Sequence, residues 1–103
     1  MSPQRWIGLA EVQPRVGVTV LGTRARGAFV SIVAFVRDPQ EFRGVSARAF
    51  TEYGLQLIKL EDVEPLSTRV ARQRVDPILL QDAERIPKDT LFVFGSFHSY
   101  PAD

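Results

Sequence analysis

The sequence predicts an α+β protein, with a mainly antiparallel sheet and helices packed on one face of that sheet. Three observations lead to this class: β-branched and apolar runs near both ends of the chain, an apolar run at 28–36, and a well-capped helix at 39–53. The chain has 103 residues, 45% apolar and 24% charged, which suits a single domain over 1–103 with one hydrophobic core. Its short connections leave no room for a further layer, so we expect a two-layer sandwich.

Two strands are expected at the start of the chain. Residues 6–12 predict the first, which ends at Pro14, and the β-branched run at 17–21 predicts a second that forms a hairpin with it. The run at 28–36 has apolar side chains on both sides of an extended chain. We therefore expect it to be the central strand, with both faces covered.

The clearest local signal marks the helix at 39–53. Asp38 is suited to cap it, Pro39 fits its first position, and Glu41 has the spacing of a capping box. Gly54 supplies a left-handed residue that ends it. The apolar positions recur at helical spacing and are Phe42, Val45, Ala49, Phe50 and Tyr53. We expect this face to pack against the central strand.

The second half of the chain alternates strands and helices. A strand is predicted at 55–60, followed by an acidic segment that ends at Pro65, and short helices are predicted at 67–74 and 77–86. A turn at 88–89 then leads to an aromatic strand at 90–97 and a polar tail.

From residue 28 onward, this order resembles a ferredoxin-like arrangement preceded by an extra N-terminal hairpin. The resemblance covers about two thirds of the chain and rests on element order, without a specific motif. Such folds host enzymes, ligand sensors and interaction modules alike, so the resemblance does not indicate a function.

Composition excludes several classes of site. The chain has no cysteine, which excludes disulfides, zinc–thiolate sites, iron–sulfur clusters and thiol nucleophiles. It contains no apolar run of membrane-spanning length, and its first residues lack the apolar stretch of a secretory signal. We therefore expect a soluble cytoplasmic protein without a membrane partner.

Charge gives no general attraction to nucleic acid. The net charge is +1, although residues 1–50 carry +4 and residues 51–103 carry −3. The aromatic segment 90–97 has no basic residue, so we expect no nucleic-acid partner.

A few polar residues are candidates for ligand binding. His98 is the single histidine, and proton transfer by His98 and Tyr100 would need a carboxylate, for which an acid of the 61–64 segment is suited. Arg24 and Arg26 flank a turn and are suited to hold a phosphate or carboxylate. The glycine spacing around them fails as a phosphate-binding loop, because no Lys-Ser/Thr pair follows.

Simpler structural roles compete with each of these candidates. His98 then belongs to a partly exposed tail, the arginines to a basic turn, and the acids at 61–64 to a solvated strand end rather than a magnesium site. Asp38 and Asp76 have sufficient roles as helix caps. We nominate no catalytic residue, metal ligand or cofactor.

The leading functional hypothesis is a small non-catalytic interaction or regulatory protein that self-associates through a sheet face or edge. Its basis is a surplus of aromatic side chains on the strands, more than two or three short helices can cover. The candidate interface residues are Trp6, Phe92, Phe94 and Phe97. The alternative is a ligand-binding domain or enzyme with a pocket between sheet and helices, anchored by Arg24, Arg26, His98 and Tyr100.

Overall fold

The computed structural model describes residues 3–15, 25–84, 92–95 and 97–101. In chain order its elements are β1 (Gln4–Pro14), β2 (Ala25–Val36), α1 (Pro39–Glu52), β3 (Leu55–Pro65), α2 (Leu66–Arg72), α3 (Pro77–Glu84), β4 (Phe92–Phe94) and β5 (His98–Pro101). This confirms the α+β class with an antiparallel sheet. The strand predicted at 17–21, its hairpin and the turn at 88–89 lie outside the described residues, as does the end of the helix predicted at 77–86.

The sheet has the order β3-β1-β2-β4, and β5 also pairs with β2. Since β1 is antiparallel to both neighbours, β2 and β3 run parallel with β1 between them, and α1 connects these two parallel strands. This split β-α-β unit is a ferredoxin-like feature. The chain then passes from β3 to the opposite edge through two helices on the other face, so the ferredoxin-like arrangement as a whole is not confirmed.

Helix α1 covers one face of the sheet, begins at the predicted residue and ends one residue before the predicted end. The Asp38 carboxylate accepts the backbone N–H of Glu41 at 2.8 Å, while the Glu41 side chain pairs with Arg37 instead of closing the capping box. Gly54 has φ 73°, the expected left-handed conformation. The predicted apolar positions are buried except Tyr53, and they pack with the even-numbered side chains of β1 and β2.

Helices α2 and α3 pack on the opposite face, so the expectation of helices on one face is wrong. Leu66 of α2 and Leu79 and Ala83 of α3 form a second buried cluster with Ile7 and Val33. The physical reason lies in the central strand, whose apolar side chains point both ways and require cover on both sides.

Within the described residues, no helix is long and apolar enough to cross a membrane.

Polar contacts fix these two helices at one end of the sheet. The Arg5 guanidinium donates to the carbonyl oxygens of Ala83 and Glu84 at 2.6 and 3.2 Å, where a positive charge complements the C-terminus of α3. Glu64 lies 3.2 Å from the buried Arg69 and 2.9 Å from Arg72 of α2. The expectation of a solvated strand end is therefore wrong at Glu64.

Among the residues that the structure describes, helices cover the second face over only half its length. Phe29, near the start of β2, is 41% exposed, so the expectation that both faces of the central strand are covered is wrong at this residue. The buried side chains of α2 and α3 contact the sheet at the Val33 end of the strand.

The C-terminal aromatics do not lie on an uncovered face, as the sequence suggested. Trp6 is buried, and Phe92 and Phe94 are half-buried because they lie opposite Ala34 and Ile32, on the side that faces α1. The Phe94 ring stacks on Phe50 at 4.8 Å. Of the four candidate interface residues, only Phe97 is exposed, while self-association itself stays a prediction.

The aromatic strand predicted at 90–97 is interrupted, and the predicted polar tail forms a strand. The backbone N–H of Gly95 donates to the Ser31 carbonyl at 2.8 Å, and after Phe97 the chain pairs with β2 again as β5.

Replacing Phe50 with Ala should destabilise the protein by about 3 to 5 kcal/mol, because the buried ring leaves a cavity between α1 and the sheet. Denaturant unfolding measures this loss. The control is Ile78→Ala, at a side chain that is 69% exposed, which should change the free energy of unfolding by less than about 1 kcal/mol. Equal losses for the two variants would contradict the packing of α1.

Candidate interaction surface on the sheet

The uncovered part of the second face forms a continuous surface, which we call the open half-face. It lies on the same side of the sheet as Ile7 and Val33, beyond the reach of α2 and α3, because alternate residues of a strand share a face. Its residues are Leu9, Glu11, Gln13, Phe29, Lys59, Glu61 and Tyr100. In register, Glu11 of β1 lies between Phe29 of β2 and Lys59 of β3.

Tyr100 connects the outermost strand to β1. Its hydroxyl donates to the Glu11 carboxylate at 2.6 Å, and its ring centroid lies 5.5 Å from that of Phe29. The ring passes over Gly27, its partner on β2, where a Cβ would overlap the ring and lie 2.7 Å from the Val12 carbonyl oxygen. Glycine is therefore required at this close approach. We refer to this contact of Tyr100 with Glu11 across Gly27 as the tyrosine hook.

Two titratable groups of the open half-face are held in their protonated forms. The hydrogen bond to Glu11 is the main cause that raises the pKa of Tyr100 above its ordinary value. The hydrogen bond and charge of Glu61 likewise raise the pKa of Lys59. At neutral pH, a neutral phenol and a charged ammonium are weak bases and weak nucleophiles.

Two shallow hollows lie on either side of the exposed Phe29 ring. One, of about 350 Å³, is lined by Glu11, Gln13, Arg26, Phe29 and Tyr100. The other, of about 260 Å³, is lined by Leu9, Glu11, Phe29, Lys59 and Glu61. Phe29 is thus an apolar projection between two depressions that carry charges of both signs.

The structure brings together part of the predicted ligand set. Arg26 and Tyr100 line the same hollow, and His98 is exposed and lies opposite Phe29 in register. Arg24 lies outside the described residues. The carboxylate beside Tyr100 is Glu11, not an acid of the 61–64 segment as expected. Among the described residues, no cluster of three or more His, Asp or Glu side chains is arranged to hold a metal ion.

Sequence reasoning missed Glu11, Phe29 and Lys59 as members of one surface. The sequence did contain a signal at Glu11, because this charged residue stands within the otherwise apolar strand predicted at 6–12. A charge at that position indicates that one side of the strand faces solvent.

Comparison with known proteins adds no functional assignment. No family model matches the chain, and neither a curated protein nor a solved structure is significantly similar to it. The function therefore has to be argued from the open half-face itself.

The ionisation of Tyr100 provides a direct test of the tyrosine hook. The chain has two tyrosines, so Tyr100 is the one that remains in a Tyr53→Phe variant. As pH increases, the phenolate absorbance of Tyr100 should rise with a midpoint above pH about 10. Because the folded-state pKa is the raised one, the hook should stabilise the fold below pH about 10 and lose this effect as pH rises through the folded-state pKa. Adding Glu11→Ala should lower the midpoint, and an unchanged midpoint would contradict the contact.

Replacing Gly27 with Ala should displace the Tyr100 ring, because the added methyl group occupies its position. In the Tyr53→Phe background, the pKa of Tyr100 should then fall toward its ordinary value, and the amide protons of β5 should exchange faster. Gly44→Ala is the matched control, since a Cβ at this exposed helix position meets no atom within 4 Å. That variant should keep the raised pKa and gain about 0.5 to 1 kcal/mol of stability.

Proposed function

We propose that this chain is a small non-catalytic interaction protein that binds a second copy of itself through the open half-face. The observation that carries the proposal is Phe29, which is 41% exposed on the central strand of the sheet. A central strand of a small domain is ordinarily covered on its apolar positions, so an exposed phenylalanine there favours a surface that another protein covers.

The charges on this surface favour a second copy as the partner. A two-fold interface brings the same patch together from both chains, so the patch must be complementary to itself. Glu11 and Glu61 supply negative charge and Lys59 supplies positive charge, side by side on the open half-face. A two-fold rotation lets Lys59 of each copy approach the carboxylates of the other.

The shape of the surface supports the same partner. Phe29 projects between two hollows, of about 350 and 260 Å³, so the ring of one copy has a depression to enter on the other. Aromatic side chains that enter hollows surrounded by polar groups are typical anchors of protein interfaces. A specific interface of standard size needs about 800 Å² from each partner.

The protonation states favour binding over catalysis. The neutral Tyr100 and the charged Lys59 are suited to hydrogen bonding and ion pairing, whereas a general base or amine nucleophile needs a lowered pKa. A small-ligand site is the second candidate, favoured by Arg26 and Tyr100 in one hollow with the exposed His98 nearby. Both candidates place the activity on the same side of the sheet.

Two finer statements belong to this proposal. The split β-α-β unit supports a distant ferredoxin-like relationship for the fold, with α2 and α3 moved to the second face. A cytoplasmic location is the compartment we propose for the protein, on the basis of its composition.

Light scattering at micromolar concentration tests the proposed pairing. We expect twice the chain mass of 11.6 kDa for the wild type and the single-chain mass for Phe29→Asp, which places a charge where the apolar contact forms. Ile78→Asp is the control, since this exposed residue belongs to α3 and should leave the dimer intact. A wild-type mass near 11.6 kDa would contradict self-pairing.

Charge reversal tests the orientation of the pair. Lys59→Glu should weaken the dimer, because the carboxylates of the two copies then repel each other, and the loss should diminish at high salt. Exchanging both signs, in Lys59→Glu with Glu61→Lys, should restore the dimer because the surface is again complementary to itself. Equal dimerisation by all three proteins would exclude this charge pairing.

A further inference from the structure

We infer that β5 is an exchangeable strand: the β5 of one copy can pair with β2 of a second copy in place of that copy's own strand. The inference is independent of pairing through the open half-face, because it rests on how β5 is attached. It concerns the sheet edge at Ala25–Phe29, which we call the β5 socket.

The attachment of β5 is small compared with the ladders that join β1, β2 and β3. It comprises a short antiparallel ladder to β2, the hydrogen bond from Tyr100 to Glu11, and the contact of Tyr100 with Phe29. His98 and Ser99 are exposed and contribute little buried apolar surface. Segments with few buried apolar contacts open at low free energy while the rest of a protein stays folded.

The neighbouring strand β4 is held differently and stays in place. Its Phe94 stacks on Phe50 at 4.8 Å and contacts Phe92 at 4.9 Å beneath α1. The Gly95 N–H donates to the Ser31 carbonyl at 2.8 Å. When β5 is released, the chain is therefore still held as far as Gly95.

Release of β5 leaves a socket with specific requirements. Backbone N–H and C=O groups along Ala25–Phe29 lose their partners, and an unpaired strand edge accepts another strand. Above that edge, Gly27 leaves room for one aromatic ring, and Glu11 accepts one hydroxyl group. The socket thus selects an extended segment that carries a tyrosine opposite Gly27.

The β5 segment of a second copy satisfies these requirements because it has the same sequence. Strand exchange replaces each contact within a chain by the same contact between chains, so it changes little free energy apart from that of association. β4 and β5 follow one another along the same edge of β2, so β5 can leave that edge while β4 stays paired.

Disulfide trapping distinguishes the closed form from the exchanged form. The natural sequence has no cysteine, so the introduced thiols can form a disulfide only with each other. Ala28 and Ser99 are register partners, so Ala28→Cys with Ser99→Cys places two thiols across the β2–β5 ladder. After concentrated protein is warmed near its melting temperature, cooled and oxidised, we expect a band of twice the monomer mass on a non-reducing denaturing gel. The band should increase with protein concentration. Covalent monomers at every concentration would overturn the inference.

Mixing gives the matched control for this trap. When Ala28→Cys protein is mixed with Ser99→Cys protein, a disulfide between the two variants should form after warming and cooling together, and not when they are combined cold.

The same experiment separates this inference from the proposed function. A dimer formed only through the open half-face scatters light as a dimer yet yields covalent monomers on the gel. Exchange without face pairing yields covalent dimers that Lys59→Glu does not reduce, because Lys59 lies on the open half-face but outside the β5 socket. Binding of a different protein at the socket would leave the double variant a covalent monomer, which contradicts exchange.

Hydrogen exchange of the wild-type protein provides a test that needs no variant. The amides that join β2 to β5 should exchange faster than those that join β2 to β1, because only the first set opens when the strand is released. Equal protection of the two ladders would overturn the inference even if Ala28→Cys failed to fold.

Discussion

The whole arrangement depends on one constraint: the central strand β2 has apolar side chains on both sides and has to be buried on both sides. Residues such as Val30 and Ile32 face α1, and Val33 faces α2 and α3, all fully buried. One long helix suffices for the first face. The second face receives two short helices, whose buried residues are enough for one half only, and the open half-face is what they leave.

Charged groups decide which half is covered. Arg5 holds the end of α3 near the start of β1, and Glu64 holds α2 through Arg69 and Arg72. Since Arg69 is buried beside Glu64, removal of the Glu64 charge would leave Arg69 uncompensated in a poorly solvated site. The two helices are thereby fixed at one end, and Phe29 at the other end stays outside their reach.

The sequence was sufficient where structure is locally determined and insufficient where it depends on distant residues. Helix α1 was predictable because its cap at Asp38 and its terminator at Gly54 act within a few residues. The position of α2 and α3 was not predictable from the sequence. It depends on ion pairs and on which face of the sheet α1 leaves uncovered. Strand β5 was taken for a polar tail, since its pairing depends on Gly27 and Glu11, far away in the chain.

The candidate site was predictable to a similar degree. Arg26 and Tyr100 were selected by residue type alone and do lie together. Phe29 was assigned to the core because an apolar run does not reveal how far the covering helices extend. The aromatic residues of β4 were assigned to the surface, although register places them beneath α1.

The tyrosine hook also has a consequence for the order of folding. Its hydrogen bond joins residues separated by 89 positions, so in the unfolded chain it closes a loop of almost the entire sequence. Once β2 has paired with both β1 and β4, Tyr100 is only a few residues along the chain from the paired part of the sheet, and the contact becomes a local event. The hook therefore adds little to the rate-limiting search, and β5 docks last, on a sheet that is already complete up to that edge.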